Sequence, residues 1–183
     1  MTYTIFNFLV FDRPDLHHYT AHAMFADIIP TYLDADRFVD SREHLSAALN
    51  PQEYKRFAEI AILHPDSKIW LKGYQEPYGP KVLSGEMIFN ATLICQRCLE
   101  PFNFNRRGLI AWGLVHSESA MRALDPRLDP VFVMDGQINL RETIEDELML
   151  LLPLIPVHTQ CDNLSISDQQ PENNSTSQSR IGF

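Results

Sequence analysis

The chain has no apolar run long enough to cross a bilayer as a helix. Such a span needs about 18 consecutive apolar residues; the longest run here, Leu148 to Val157, has ten residues and is broken by Pro153 and Pro156. Cations are also scarce. Lys and Arg total 15 against 24 Asp and Glu, for a formal net charge of −9 at pH 7. Non-specific nucleic-acid binding rests on neutralising phosphates with Lys and Arg, so the deficit argues against wrapping RNA or DNA over the whole surface. A small basic patch or a basic protein partner stays open. The three cysteines are an odd number, so they cannot all pair within one chain. Reduced cytosolic thiols are the default reading. No segment repeats at a fixed period. Met1 to Phe11 lacks the positive n-region and small-residue cleavage site of a signal peptide, which points to the cytoplasm. Asn90-Ala-Thr and Asn174-Ser-Thr match the glycosylation pattern, which has no meaning without a secretory signal.

What is present suits one globular domain. The length is 183 residues, with 45% hydrophobic and 21% charged side chains. Residues 1–25 differ from the rest: an apolar patch, Ile5 to Phe11, precedes His17, His18 and His22. They read as an N-terminal extension, with Met24 as an alternative start to Met1. His18 and His22 would share a helix face, but no further ligands accompany them. The domain is expected over 26–162. From 163 to 180 Asn, Ser, Gln, Thr, Asp, Glu and Pro dominate, too little apolar surface to offset ordering entropy, so 163–183 reads as a disordered tail.

The pattern within the domain is α+β. Pro30 to Arg42 reads as a turn and a short helix, with Asp34 or Asp36 as N-cap. Asn50-Pro51 opens a helix expected over about 51–62, with Tyr54, Phe57, Ala58 and Ala61 on one face. Strands are expected within about 66–116 and at 131–134, as an antiparallel sheet of hairpins. Met87, Phe89, Ala91, Leu93 and Cys95 share one strand face by period-two alternation. Ser117 to Pro130 reads as an exposed loop or short helix. Asn139 with Glu142 forms a capping-box-like start to a helix over about 139–152. Leu140, Ile144, Leu148 and Leu151 mark its buried stripe, and Pro153 and Pro156 end it.

Two short clusters carry soft or borderline metal ligands. Cys95 and Cys98 are three apart after a strand-like stretch, and His158 and Cys161 follow the last helix. Together they match the donor set of one tetrahedral structural zinc, which would tie the middle of the chain to its end. The opposing reading is three reduced thiols and an exposed histidine that never meet. A thioredoxin-type motif fits poorly, because that Cys-x-x-Cys opens a helix and this one follows a β pattern.

Cys95-Gln-Arg-Cys-Leu-Glu-Pro101, Glu145-Asp-Glu-Leu148 and Leu152-Pro-Leu-Ile-Pro-Val-His158, in that order and spacing, resemble the YceD family. A weaker likeness reaches back to Pro30, so the resemblance covers about residues 28–162. It implies a cytoplasmic, non-enzymatic ribosome-biogenesis factor needed for synthesis, processing or stability of the 23S large-subunit rRNA. No catalytic residues come with it. Relatives often carry a Cys or His and a Cys near His158 and Cys161, and often end in an Asn-Pro-Phe-like motif. This chain ends Arg180-Ile-Gly-Phe183 instead, which puts recruitment through that terminus in doubt.

The expected working surface comprises Arg97, Arg106 and Arg107 beside Phe102 and Phe104, where single-stranded RNA can stack, and the carboxylates Glu142, Glu145, Asp146 and Glu147, which can dock a basic protein. Each has a plain alternative: core phenylalanines with solvated arginines, and an acidic first turn complementing the helix dipole. The expected partners are large-subunit rRNA or its assembly proteins, with no membrane and no small-molecule substrate. Two alternatives remain, a protein-only adaptor in ribosome assembly and a metal-dependent nuclease or hydrolase. The latter needs an open metal position and a general base.

Overall fold

A computed structural model describes residues 28–158 except Glu76. The N-terminal extension with its three histidines and Met24, the 163–183 tail and Cys161 lie outside the described residues. The fold is α+β.

Its centre is a pair of long strands, β5 (Lys81–Ile94) and β6 (Pro101–Val115), antiparallel from Val82↔Gly113 to Ile94↔Pro101. Alternation decides which side of β5 goes inward. Met87, Phe89 and Ala91 are fully buried, as expected, and Leu93 and Cys95 follow in phase. The opposite face carries Ile88 and Asn90 toward solvent. β4 (Lys68–Gln75) pairs antiparallel with β5, and Ile69 and Leu71 join the same core.

The sheet is larger than the hairpin pattern suggests. β2 (His44–Ala48) flanks β4, β3 (Ile62–Leu63) pairs with β5, and β7 (Asp129–Phe132) runs parallel to β6, giving the order β2-β4-β5-β6-β7. A separate two-stranded ribbon joins β1 (Tyr32–Asp34) to β8 (Gln137–Asn139). The turn before β8 uses Asp135 and Gly136, both at positive φ (51° and 77°), where glycine is unstrained and Asp is among the more tolerant residues.

Helix α1 (Ala35–Asp40) starts where Asp34 accepts from the Arg37 N–H at 3.0 Å. It lies directly on β4: a Cβ at Gly73 would come within 2.7 Å of Val39 Cα, so only glycine fits that approach. A short helix, α3 (Glu118–Arg122), interrupts the 117–130 segment. Helix α4 (Leu140–Leu150) is capped as its Asn139 and Glu142 suggest. The Glu142 N–H donates to Asn139 Oδ1 at 3.2 Å, and Asn139 Nδ2 donates back to Glu142 Oε2 at 2.9 Å. Leu140, Ile144 and Leu148 are fully buried; Leu151, just past the helix, is half-buried.

The helix expected over 51–62 is divided. Asn50 caps a single 3-10 turn, Pro51–Glu53; Tyr54 then leaves helical geometry (φ −111°, ψ 76°), α2 occupies only Lys55–Ala58, and Ile62 has joined β3. Tyr54, Phe57 and Ala61 are buried at the expected spacing, whereas Ala58 faces solvent. The cause is tertiary. The Arg56 and Phe57 N–H groups donate to Glu145 Oε1 of α4, at 2.7 and 3.2 Å, instead of waiting for a longer helix. Glu145 is buried, and Arg56 closes over it through Nε at 2.9 Å while its Nη1 reaches Asp146 at 2.8 Å.

These contacts set a contrast between neighbouring positions. Glu145→Ala leaves two amide donors without an acceptor and should lower unfolding free energy by about 2–3 kcal/mol, whereas Asp146→Ala, on the exposed side, should cost below about 1 kcal/mol. Tyr54 has a buried hydroxyl with no hydrogen-bond partner among the described residues, so Tyr54→Phe should be neutral or stabilising. Urea denaturation of the three variants checks all of this, and a Glu145→Ala effect no larger than that of Asp146→Ala would refute the anchoring role.

Candidate metal centre at the hairpin end

The link between β5 and β6 is the Cys-x-x-Cys segment. The Cys95 N–H donates to Glu100 O and the Leu99 N–H to Cys95 O, both at 2.9 Å. Leu99 takes a positive φ of 63° to close this loop, a conformation rare for a branched residue. Cys95 keeps the inward phase of β5 and is fully buried, while Cys98 is half-buried on the loop.

The third ligand arrives from the other end of the fold. Pro153 and Pro156 cannot continue α4, and the chain turns back toward the hairpin. The Gln96 N–H donates to Pro156 O at 2.9 Å. His158 then packs against Phe102 with the rings tilted by 53° and their centroids 5.6 Å apart. Its Nε2 lies 3.1 Å from Cys98 Sγ, and the ligand atoms of Cys95, Cys98 and His158 all fall within 4.8 Å of one another.

The local electrostatics favour thiolate. Burial pushes the Cys95 thiol up, but backbone N–H donors from Cys98, Arg97 and His158, helped by the Cys98 side chain, bring it from 9.0 down to about 6. Thiolate is the form that binds metal. Two sulfurs and one imidazole at this separation can hold a metal ion, and the geometry unites three of the four ligands expected from the sequence. Nothing in the spacing pointed to Pro156 or Phe102 as the groups that position His158.

The other candidates do not form one surface. Arg97 is exposed on the loop. Arg106 and Arg107 are also exposed, but as strand neighbours they point to opposite faces of β6. Arg106 sits opposite Phe89 and Arg107 opposite Ile88, and Arg107 is paired with Glu86. Phe102 and Phe104 are half-buried against the core. Of the carboxylates, Glu145 is turned inward, Asp146 meets Arg56, Glu142 closes the helix cap, and Glu147 accepts from the Trp112 indole at 3.3 Å. The inward role of Glu145 has no signal in the sequence, because its neighbours are equally acidic.

A model of the family described as large ribosomal RNA subunit accumulation protein YceD matches residues 83–180. A large ribosomal RNA subunit accumulation protein YceD from Haemophilus influenzae is 30% identical over 139 residues, covering 75% of this chain and 77% of its own length. No solved structure matches.

The depressed Cys95 pKa sets a pH dependence. A thiol that ionises more easily folded than unfolded stabilises the fold fully above its unfolded pKa, and loses that contribution as pH falls through the folded value. The urea midpoint of metal-free protein, minus that of Cys95→Ala, should therefore rise between pH 6 and pH 9. A flat difference over that window would show that the thiol is not held as thiolate.

Proposed function

Because the chain belongs to the YceD family, we propose that it is a ribosome-biogenesis factor needed for accumulation of the 23S large-subunit rRNA, acting by binding rather than by catalysis. The observation that carries this reading is the family match, which spans the hairpin, the whole Cys/His cluster and α4. The family name itself concerns accumulation of large-subunit rRNA. Residues 26–162 act as one domain, in the cytoplasm, with rRNA or its assembly proteins as partners.

Cys95, Cys98 and His158 would hold one structural zinc, with Cys161 as the fourth ligand. Two thiolates and an imidazole are donors suited to zinc. When bound, the ion supplies a fixed junction between the hairpin loop and the segment after α4. This chain's residues do the rest: the loop N–H groups hold the Cys95 sulfur and Phe102 orients the imidazole.

The exposed Arg97 lies beside this junction and is the best placed of the three arginines for contact with rRNA. The acidic total favours a limited contact, or one made through a protein. A protein-only adaptor is the second reading. A metal-dependent nuclease is the third, and would reveal itself as RNA cleavage abolished by Cys95→Ser.

Two measurements test the proposal. Protein purified without a histidine tag should hold about one zinc per chain, lost together with thermal stability in Cys95→Ser/Cys98→Ser. Protein with full stability and no metal would end the zinc reading. In cells deprived of the protein, large-subunit rRNA should fall relative to small-subunit rRNA and return with the wild-type chain. Unchanged rRNA levels would overturn the functional assignment.

A further inference from the structure

A groove of about 700 Å³ lies between β7, the turn at Met134 and Asp135, β8 and α4. Four large side chains with apolar surface line it while facing solvent: Tyr32, Phe132, Met134 (75% exposed) and Leu150 (79% exposed). Apolar surface gathered in one concavity and rimmed by polar groups is characteristic of an interaction site.

The rim has one sign. Asp129, Asp135, Glu142, Asp146 and Glu147 all line the groove, and no Lys, Arg or His does. Asp146 has Arg56 as its partner. Asp129, Asp135 and Glu147 have no ion pair among the described residues. Burial raises the Glu147 pKa, the Trp112 indole N–H lowers it, and the Asp129 charge raises it again. Like charges thus crowd a partly desolvated wall, and a cation placed there would relieve them.

The chain's own segments do not complement this rim. Residues 1–27 carry Arg13 and three histidines against Asp12, Asp15 and Asp27; residues 159–183 carry Arg180 against Asp162, Asp168 and Glu172. A second copy brings its own −9, so self-association is opposed by charge.

We propose that this groove docks a Lys/Arg-rich polypeptide segment whose large apolar side chains fill the space beside Phe132, Met134 and Leu150. The inference rests on the reading of the protein as a binding factor and names the chemistry of one partner. Its assay reads the groove alone, whereas rRNA levels read the cellular role, so the two can fail separately.

The test titrates the full chain into a dye-labelled synthetic peptide in which Lys or Arg alternates with Leu or Phe, followed by fluorescence anisotropy. Saturable binding that weakens with salt is expected. Asp129→Asn/Asp135→Asn should weaken it by about tenfold or more, and Met134→Ser should weaken it at constant charge. These positions are exposed, and Asn tolerates the positive φ at 135, so the variants should fold, as near-ultraviolet circular dichroism will verify. Glu43→Gln/Glu59→Gln, outside the groove, should leave affinity unchanged. An equal loss in that control would show attraction to net charge only and overturn the proposal. So would analytical ultracentrifugation in which the wild-type chain is dimeric and Met134→Ser is monomeric, which would assign the groove to a second copy. Single-stranded RNA binding that depends on Asp129 and Asp135 would also overturn it.

Discussion

The register between β5 and β6 governs the rest of the molecule. Side chains alternate along a strand, so a slip of one residue would send Met87, Phe89, Ala91 and Leu93 into solvent. The same register carries Cys95 inward at the end of the run. The sulfur therefore sits at the end of the hydrophobic core, where desolvation and the loop N–H groups act on it together. The candidate metal centre is thus the terminus of the core, and its chemistry follows from the pairing beneath it.

The parts of the fold legible in the sequence are those with local causes. The β5 alternation and the Asn139–Glu142 cap depend on neighbours two to four residues away, and both are found as read. The parts that escaped depend on distant partners. β2 has only a short apolar alternation and exists because a longer strand offers it hydrogen bonds; the strand expected at 131–134 is present as β7, but it begins at Asp129 and its parallel pairing with β6 has no local signal. The spacing of Tyr54, Phe57 and Ala61 correctly marked a buried face, yet the backbone beneath it is a 3-10 turn, a single helical turn and a strand entry. Periodicity reports which side chains are inside; it says less about the backbone that carries them when another element supplies the hydrogen bonds. The candidate site divides in the same way. Cys95 and Cys98 are local, while the arrival of His158 relies on contacts made by Pro156 and Phe102.

The acidic residues of α4 show why counting charge is not locating it. The four carboxylates within six residues look alike in sequence, and the fold gives each a different task. Glu142 caps its own helix, Glu145 anchors α2, Asp146 shares Arg56, and Glu147 faces the groove beside Trp112. The helix therefore fastens the domain with one side and with another presents negative charge that has no ion pair among the described residues.

The ribbon between β1 and β8 has a consequence for synthesis. Tyr32–Asp34 leave the ribosome early, but their hydrogen-bonding partners are Gln137–Asn139, and Leu140 completes the joint by donating to Thr31 O. Arg56 likewise waits for Glu145. During translation the hairpin of β4 to β6 can form while the amino-terminal strand is still an unpaired edge. The nascent chain thus passes through a stage with an open β-edge and an incompletely covered sheet, the kind of intermediate that chaperones protect.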